Sequence, residues 1–318
     1  MEYIKNPHDR YFKENMDNTE IAKSFFEYYL PSELKNIVNL DFLIPQQESF
    51  IDEELKESYS DLLFKTKIKG EEGYIYLLVE HKSSPDYFTV LQVLKYLLNI
   101  WNREVKKKTK RSFPPIVPLV FYHGQREWKV PRSFSYLIKN IEKYPELKPY
   151  IPDFEYLLAE ISPDKPIENI EGAVKIFLEF MRIIFHPDKE IFKIELTRNL
   201  AELRRLLKKE GVSDHLIDIL YRSSVLYIIV VREDIEYEDI KECIDVTIPE
   251  RSEELMTIAE KLIKEGMEKG IQKGELKAKE ETAREAIKAG ADLSFTAKIT
   301  GLSMERIKEL EKEVQENG

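Results

Sequence analysis

The chain has 318 residues, of which 42% are hydrophobic and 11% aromatic, so it is long enough to bury a core in more than one folded unit. Its single cysteine, Cys243, excludes an intramolecular disulfide framework and a zinc site made of cysteines alone. The net charge of −10 excludes a uniformly basic surface. One basic run, residues 106–111, is a candidate phosphate-binding patch, and a solvated helix end is its alternative.

The amino-terminal residues lack the apolar core of a signal peptide. The longest apolar run, Val225–Val231, is too short to span a bilayer. We therefore expect a soluble, cytoplasmic protein with no membrane partner.

The first predicted elements are a helix and a β-hairpin. A cap at Asn18 or Asp17 begins a helix that extends to Tyr29. Alternating side chains over residues 61–68 predict a strand, and a second strand follows over residues 74–82. Between them, residues 69–73 resemble a turn.

A long helix from Asp86 to about Val105 and a largely buried strand over Ile116–Tyr122 follow the hairpin. Beyond Pro131 the strand signals fade, and apolar residues recur at helical spacing up to Val231. We predict three regions: a catalytic core at 1–131, a helical region at 132–249 that packs on or extends the core, and a helical tail at 250–318.

The tail carries two features that bear on assembly. Gly266, Gly270 and Gly274 are four residues apart, so they lie along one helix face and allow close approach of a second copy, which predicts a homodimer. A weakly stable, solvated helix is the alternative. The last segment is spaced like a helix-turn-helix, but its final helix is rich in glutamate, which favours a role in packing or oligomerisation over DNA binding.

The hairpin carries the candidate chemistry. Side chains alternate along a strand, so Glu80 and Lys82 share one face. A turn centred near Glu71 places residue 61 opposite roughly residue 81, which brings Asp61 beside Glu80 or Lys82 at the open end of the hairpin.

Two carboxylates and a lysine suit metal-assisted hydrolysis of a phosphodiester. Mg²⁺ takes one or two protein carboxylates together with water and substrate phosphate oxygens, so Asp61 and Glu80 are the predicted ligands, with Mn²⁺ or Ca²⁺ as alternative ions. Lys82 is suited to orienting the attacking water and stabilising the transition state. An exposed salt bridge between Glu80 and Lys82 is the alternative.

Three further residues are predicted to support the site or to contact DNA. Gln92 and Tyr96 are four residues apart and therefore share a helix face. His123 ends the buried strand, where it is placed either to contact a phosphate or to stabilise the turn. For Gln92 and Tyr96, a polar helix face with one half-buried tyrosine is the alternative.

The sequence resembles the recombination-promoting nuclease family, whose members are often labelled transposases, within the PD-(D/E)xK nuclease superfamily. The resemblance covers about the first 240 residues. The residues that carry it are His8-Asp9 with Phe12-Lys13, Ser60-Asp61-Leu62-Leu63, Val79-Glu80-His81-Lys82-Ser83-Ser84-Pro85, and Val120-Phe121-Tyr122-His123-Gly124 followed by Trp128.

This resemblance implies a restriction-endonuclease-like α/β core, in which helices flank a mixed central sheet, followed by a helical region and tail. It also implies Mg²⁺-dependent endonuclease activity on DNA that promotes recombination or acts on mobile or foreign DNA, with Asp61 and Glu80 as metal ligands and Lys82 as the third catalytic residue. The alternative is a DNA-binding or assembly protein that keeps this fold without hydrolysis.

Overall fold

The computed structural model describes residues 6–46, 60–80, 85–106, 112–163 and 167–316, with only the backbone described at 60, 61, 106, 259, 261–275, 315 and 316. Residues 6–255 form one compact unit. The residues from 256 onward belong to a second unit.

The first unit contains a five-stranded sheet and most of the helices. The strands are β1 (Val38–Gln46), β2 (Ser60–Ile68), β3 (Glu71–Glu80), β4 (Ile116–His123) and β5 (Leu157–Ile161). The helices are α1 (Pro7–Met16), α2 (Thr19–Tyr29), α3 (Ser32–Lys35), α4 (Thr89–Lys106), α5 (Ala173–Ile183), α6 (Lys189–Leu207), α7 (Asp214–Val231) and α8 (Tyr237–Thr247). Short 3-10 helices occupy Phe134–Leu137, Ile141–Lys143, Pro145–Tyr150 and Pro249–Arg251.

The sheet is mixed, with the strands in the order β1-β2-β3-β4-β5. The first three strands are antiparallel neighbours, whereas β3, β4 and β5 are parallel. A parallel pair requires a crossover connection, and α4 supplies it between β3 and β4. The predicted α/β class, a mixed sheet with flanking helices followed by helical segments, is confirmed.

The hairpin register differs from the predicted one. The chain turns at Lys69 and Gly70, whose positive φ angles of 49° and 86° suit a two-residue hairpin turn. Strand β3 therefore begins at Glu71, and Asp61 pairs with Leu78 rather than with residue 81. Gly73 belongs to the strand, where an added Cβ would lie 2.7 Å from Cδ1 of Ile68.

The fifth strand is a second correction, because residues 157–161 lie in the region predicted to be helical. This segment, Leu-Leu-Ala-Glu-Ile, is too short for its alternation to stand out from a helical pattern. Its parallel pairing with β4, from Leu119↔Leu157 to His123↔Ile161, decides its conformation.

Both faces of the sheet are covered. On one face, Phe121 is fully buried and its ring centroid lies 4.5 Å from that of Phe12 in α1. On the other face, Tyr76, Leu78 and Tyr122 share a core with Val93 of α4. Because both faces are buried, each strand in the centre of the sheet contributes alternate side chains to two different cores.

Helix α9 (Ser252–Lys288) begins in the first unit and continues into the second, which also contains α10 (Leu293–Thr300) and α11 (Met304–Glu316). This order confirms the predicted helix, short helix, turn and final helix of the tail. Arg306 pairs with Glu280 of α9, and Arg284 of α9 pairs with Glu313. One cation and one carboxylate of α11 therefore pair with opposite charges on α9, and the predicted homodimer remains a prediction.

None of the helices in the described ranges combines the length and apolar character that crossing a membrane requires.

We expect Asp239→Asn to destabilise the first unit by about 1 kcal/mol near neutral pH. Hydrogen bonding to Lys189 lowers the pKa of Asp239 from its ordinary value of 3.8 to about 2. A lowered folded-state pKa stabilises the fold above the unfolded pKa, and this stabilisation is lost as the pH falls through the folded value. The free energy of unfolding, measured with urea, should therefore differ less and less between variant and wild type as the pH falls from about 4 to about 2.

Asp245→Asn is the matched control on the same helix, because the Asp245–Lys241 pair is more exposed. An equally large loss of stability in Asp245→Asn would contradict the stabilising role of the Asp239 ion pair. A loss of stability in Asp239→Asn that does not change with pH would contradict it too.

Candidate active site

Three polar side chains lie in register at the carboxyl ends of the parallel strands. Glu80 of β3 pairs with Tyr122 of β4, which pairs with Glu160 of β5. In-register residues of neighbouring strands share a face, so all three lie on the side of the sheet that α4 covers. The carboxyl ends of parallel strands are a common location for binding sites in α/β sheets.

Asp61 lies on this same face. It is directly opposite Leu78, which is two residues before Glu80 on β3. Such a diagonal pair is separated by about 7–8 Å in an antiparallel sheet, close enough for two carboxyl groups to bind one small ion. The hairpin therefore brings the backbone positions of Asp61 and Glu80 together, although the register differs from the predicted one. The side chain of Asp61 lies outside the description, as do residues 81–84, which include Lys82.

Gln92 is on the first turn of α4, and Tyr96 is one turn later. The helix runs antiparallel to β3, because it starts beyond the carboxyl end of β3 and its Trp101 donates a hydrogen bond to the carbonyl of Pro114, just before β4. The amino end of α4, with the half-buried Gln92, therefore lies toward the Glu80 end of the sheet.

Tyr96 is only 3% exposed and stacks on Tyr76, with ring centroids 5.1 Å apart. The predicted contact between Tyr96 and a DNA backbone is therefore inconsistent with this structure. Tyr96 instead belongs to the hydrophobic core between α4 and the sheet. Its side chain is too deeply buried to contact a large ligand.

His123 requires the same correction. It is one residue past Tyr122 on β4, so its side chain points to the opposite face of the sheet. There it is fully buried, its Nε2 lies 2.7 Å from the carbonyl oxygen of Met181, and its ring packs against Phe185. His123 is thus separated from Glu80 by the sheet and has no surface for a phosphate.

The environment of Glu80 is polar although it is buried. Glu80 is 2% exposed. Burial raises the pKa of Tyr122, the charges of Glu160 and Glu80 raise it further, and the nearby backbone N–H and guanidinium of Arg126 oppose the shift. Charged groups of both signs therefore lie near the Tyr122 hydroxyl.

Several buried polar atoms of this region have no hydrogen-bond partner of normal geometry among the described residues, among them the Tyr122 hydroxyl oxygen, Nε2 of Gln92 and Nε1 of Trp128. Unsatisfied buried polar groups are costly, and a bound polar ligand or water is the usual explanation. The carboxyl oxygens of Asp61 and Glu80 are donors that Mg²⁺ prefers. The residues present thus fit a magnesium ion.

The described side chains contain no group of three or more His, Cys, Asp and Glu residues placed to hold a metal ion. This does not conflict with the fit, because Mg²⁺ commonly takes only one or two carboxylates and completes its shell with water and phosphate oxygens.

Glu160 is the residue of this site that the sequence did not reveal. Its Oε1 accepts a hydrogen bond from the backbone N–H of Trp128 at 3.0 Å. The ring of Trp128 in turn lies edge-on to that of Tyr122, with centroids 4.8 Å apart. The sequence pattern does not predict a strand at residues 157–161, so it could not place Glu160 beside Tyr122.

A family model described as "Putative transposase, YhgA-like" matches residues 6–211, which include all five strands. The chain belongs to this family. The matched region thus contains the row Glu80, Tyr122 and Glu160 as well as Asp61, whereas the second unit lies beyond it.

Curated relatives of the chain carry nuclease names. Recombination-promoting nuclease RpnD of Escherichia coli O157:H7 is 28% identical over 256 residues, which cover 80% of this chain and 94% of the relative. Recombination-promoting nuclease RpnA of Escherichia coli K12 is 27% identical over 301 residues, which cover 95% of this chain and 96% of the relative. The inactive recombination-promoting nuclease-like protein RpnE of the same strain is 28% identical, with 85% of each chain covered. No solved structure matches the chain.

We expect His123→Ala to reduce the free energy of unfolding by about 2 kcal/mol, because it removes a buried ring and leaves the carbonyl of Met181 without this donor. Denaturant unfolding measures the loss. DNA cleavage per folded molecule should change little, and its abolition in a folded variant would show that His123 belongs to the active site.

Proposed function

We propose that this protein is a metal-dependent DNA endonuclease that promotes recombination or acts on mobile or foreign DNA. The observation that carries the proposal is the position of Glu80, buried at the carboxyl end of a parallel strand, with Asp61 on the same face of the neighbouring strand. The names of RpnD and RpnA support the reaction class.

Asp61 and Glu80 are the residues that would hold the cation. An ion held there would supply positive charge against the phosphate and would lower the pKa of a bound water. The burial of Glu80 fixes its carboxyl group by packing, so the ligand position is preorganised. Gln92, whose Nε2 has no partner among the described residues, can donate a hydrogen bond to a substrate oxygen.

Lys82 follows Glu80 by two residues and is the proposed group that orients the water and stabilises negative charge in the transition state. Tyr76 and Tyr96 stack on each other in the core between α4 and the sheet. This packing excludes bulk water from the buried side of Glu80. Exclusion of water strengthens each electrostatic interaction within the site.

We expect Glu80→Gln and Asp61→Asn to reduce the cleavage rate by at least about a hundredfold, because each removes a charged ligand oxygen. Conversion of supercoiled plasmid to nicked and linear forms measures the rate. The purified full-length proteins should be compared in EDTA, Mg²⁺, Mn²⁺ and Ca²⁺, with activity expected from the wild type only when a divalent ion is present.

Glu155→Gln is a matched control, because Glu155 is a glutamate at the opposite, amino end of β5 that forms an isolated bridge with Ser133. It should cleave like the wild type. Unchanged cleavage by the Asp61→Asn and Glu80→Gln double variant, or full wild-type activity in EDTA, would overturn the proposal.

A separate pair of variants tests Lys82. Lys82→Ala should slow cleavage at saturating DNA, since the transition state loses a positive charge, whereas the affinity for DNA should change less. Lys82→Gln keeps a hydrogen-bond donor and should retain more activity than Lys82→Ala. Equal cleavage rates for all three proteins would remove Lys82 from the catalytic set.

The inactive relative RpnE favours one second candidate: a protein that binds DNA or assembles on it without hydrolysis. This candidate would be favoured if the wild-type protein binds DNA but does not cleave it with any of the divalent ions.

A further inference from the structure

We propose that the loop Gly124–Trp128, which follows β4, holds Arg126 beside the active site as a phosphate-binding residue, and that Glu160 is the residue that positions this loop. The inference rests on the proposed function, because the phosphate belongs to the DNA substrate.

The loop is fixed at its two ends. Gly124 is buried directly after the last residue of β4. At the other end, the backbone N–H of Trp128 donates to Oε1 of Glu160, and the Trp128 ring packs edge-on against Tyr122 and against Tyr156. Trp128 itself is 9% exposed. Only the three residues between these ends, 125–127, are exposed.

Arg126 is at the centre of this exposed tip. The loop begins directly after β4, whose residue Tyr122 pairs with Glu80 of β3, and it ends at Trp128, whose N–H donates to Glu160 of β5. These positions place Arg126 at the Glu80 end of the sheet.

The charges of the loop leave Arg126 available for a ligand. Its neighbour Glu127 pairs with Lys129, with 3.2 Å between Oε2 and Nζ. Within the described part of the chain, Arg126 has no ion pair. The planar guanidinium group can bind a phosphate through two parallel hydrogen bonds.

The negative charge of the protein gives a second reason for a phosphate-binding arginine at this position. The protein carries a net charge of −10, and Glu160 adds a second carboxylate to the row, on the other side of Tyr122 from Glu80. An anionic backbone therefore needs a local cation in order to approach Glu80, and Arg126 is an exposed cation held at this edge by a buried tryptophan.

Binding of a fluorescein-labelled DNA duplex, followed by fluorescence anisotropy in EDTA so that no cleavage occurs, tests the role of Arg126. Arg126→Ala should weaken binding about tenfold and reduce the slope of log affinity against log salt concentration by about 1. Arg126→Lys, which keeps the charge but loses the paired donors, should keep the slope and lose part of the affinity.

Lys129→Ala is the matched control directly after the loop, since it removes an exposed cation that is already paired with Glu127. It should bind DNA like the wild type. Wild-type affinity and salt dependence for Arg126→Ala, or an equal loss for Lys129→Ala, would overturn the inference while plasmid cleavage by the wild type still supported the proposed function. A wild type that neither binds nor cleaves DNA would overturn both.

Two variants of Glu160 test its positioning role. Glu160→Gln keeps an oxygen that accepts the Trp128 N–H and should retain at least wild-type affinity, because it also removes a negative charge near the DNA. Glu160→Ala removes the acceptor and should reduce both affinity and salt slope as Arg126→Ala does. Combined with Arg126→Ala, it should cause no further loss, since both changes remove the same contact. Additive losses would overturn the positioning role.

Discussion

The structure depends on the burial of the carboxyl half of β4 between two parallel neighbours and two helical layers. Its residues from Leu119 to His123 are all buried, and they alternate between the two cores. A one-residue shift in the pairing register of this strand would move every side chain to the opposite face of the sheet. The helices on both sides, α4 on one and α1 and α5 on the other, are therefore placed by the pattern of this strand.

The same alternation builds the candidate site. It directs Tyr122 toward Glu80 and Glu160, and it directs the adjacent His123 toward the carbonyl of Met181. Polar residues are tolerated on the Tyr122 side because this face reaches the carboxyl edge of the sheet, where a ligand or water can complete their hydrogen bonds. His123 satisfies its Nε2 within the protein and is structural.

The distribution of charge reconciles an acidic chain with the proposed anionic substrate. In the second unit, Glu309 and Glu313 of α11 pair with Arg306, and Glu313 also pairs with Arg284, which gives these carboxylates a structural role in a helix poorly suited to phosphates. In the first unit, the lysines of α6 pair with Asp239 and Glu242 of α8. Local cations near the sheet edge matter more for DNA than the total charge does.

The sequence by itself determined the elements with strong local signals. The cap at Asn18, the hairpin, the helix after it and the buried strand at 116–122 were all recognisable, because periodicity and turn chemistry act over a few residues. These signals were also enough to bring Asp61 and Glu80 to one end of one hairpin.

Only the tertiary structure decided the register of that hairpin, the presence of the fifth strand, and whether the predicted supporting residues lie in the site or in the core. The turn at Lys69 and Gly70 moved the partner of Asp61 to Leu78, and the pairing of β5 with β4 brought Glu160 into the site. Tyr96 and His123 proved to be core residues, because a helix packed on one face of the sheet and several on the other enclosed them. Burial and strand pairing depend on residues distant in the chain, so no local pattern could have revealed them.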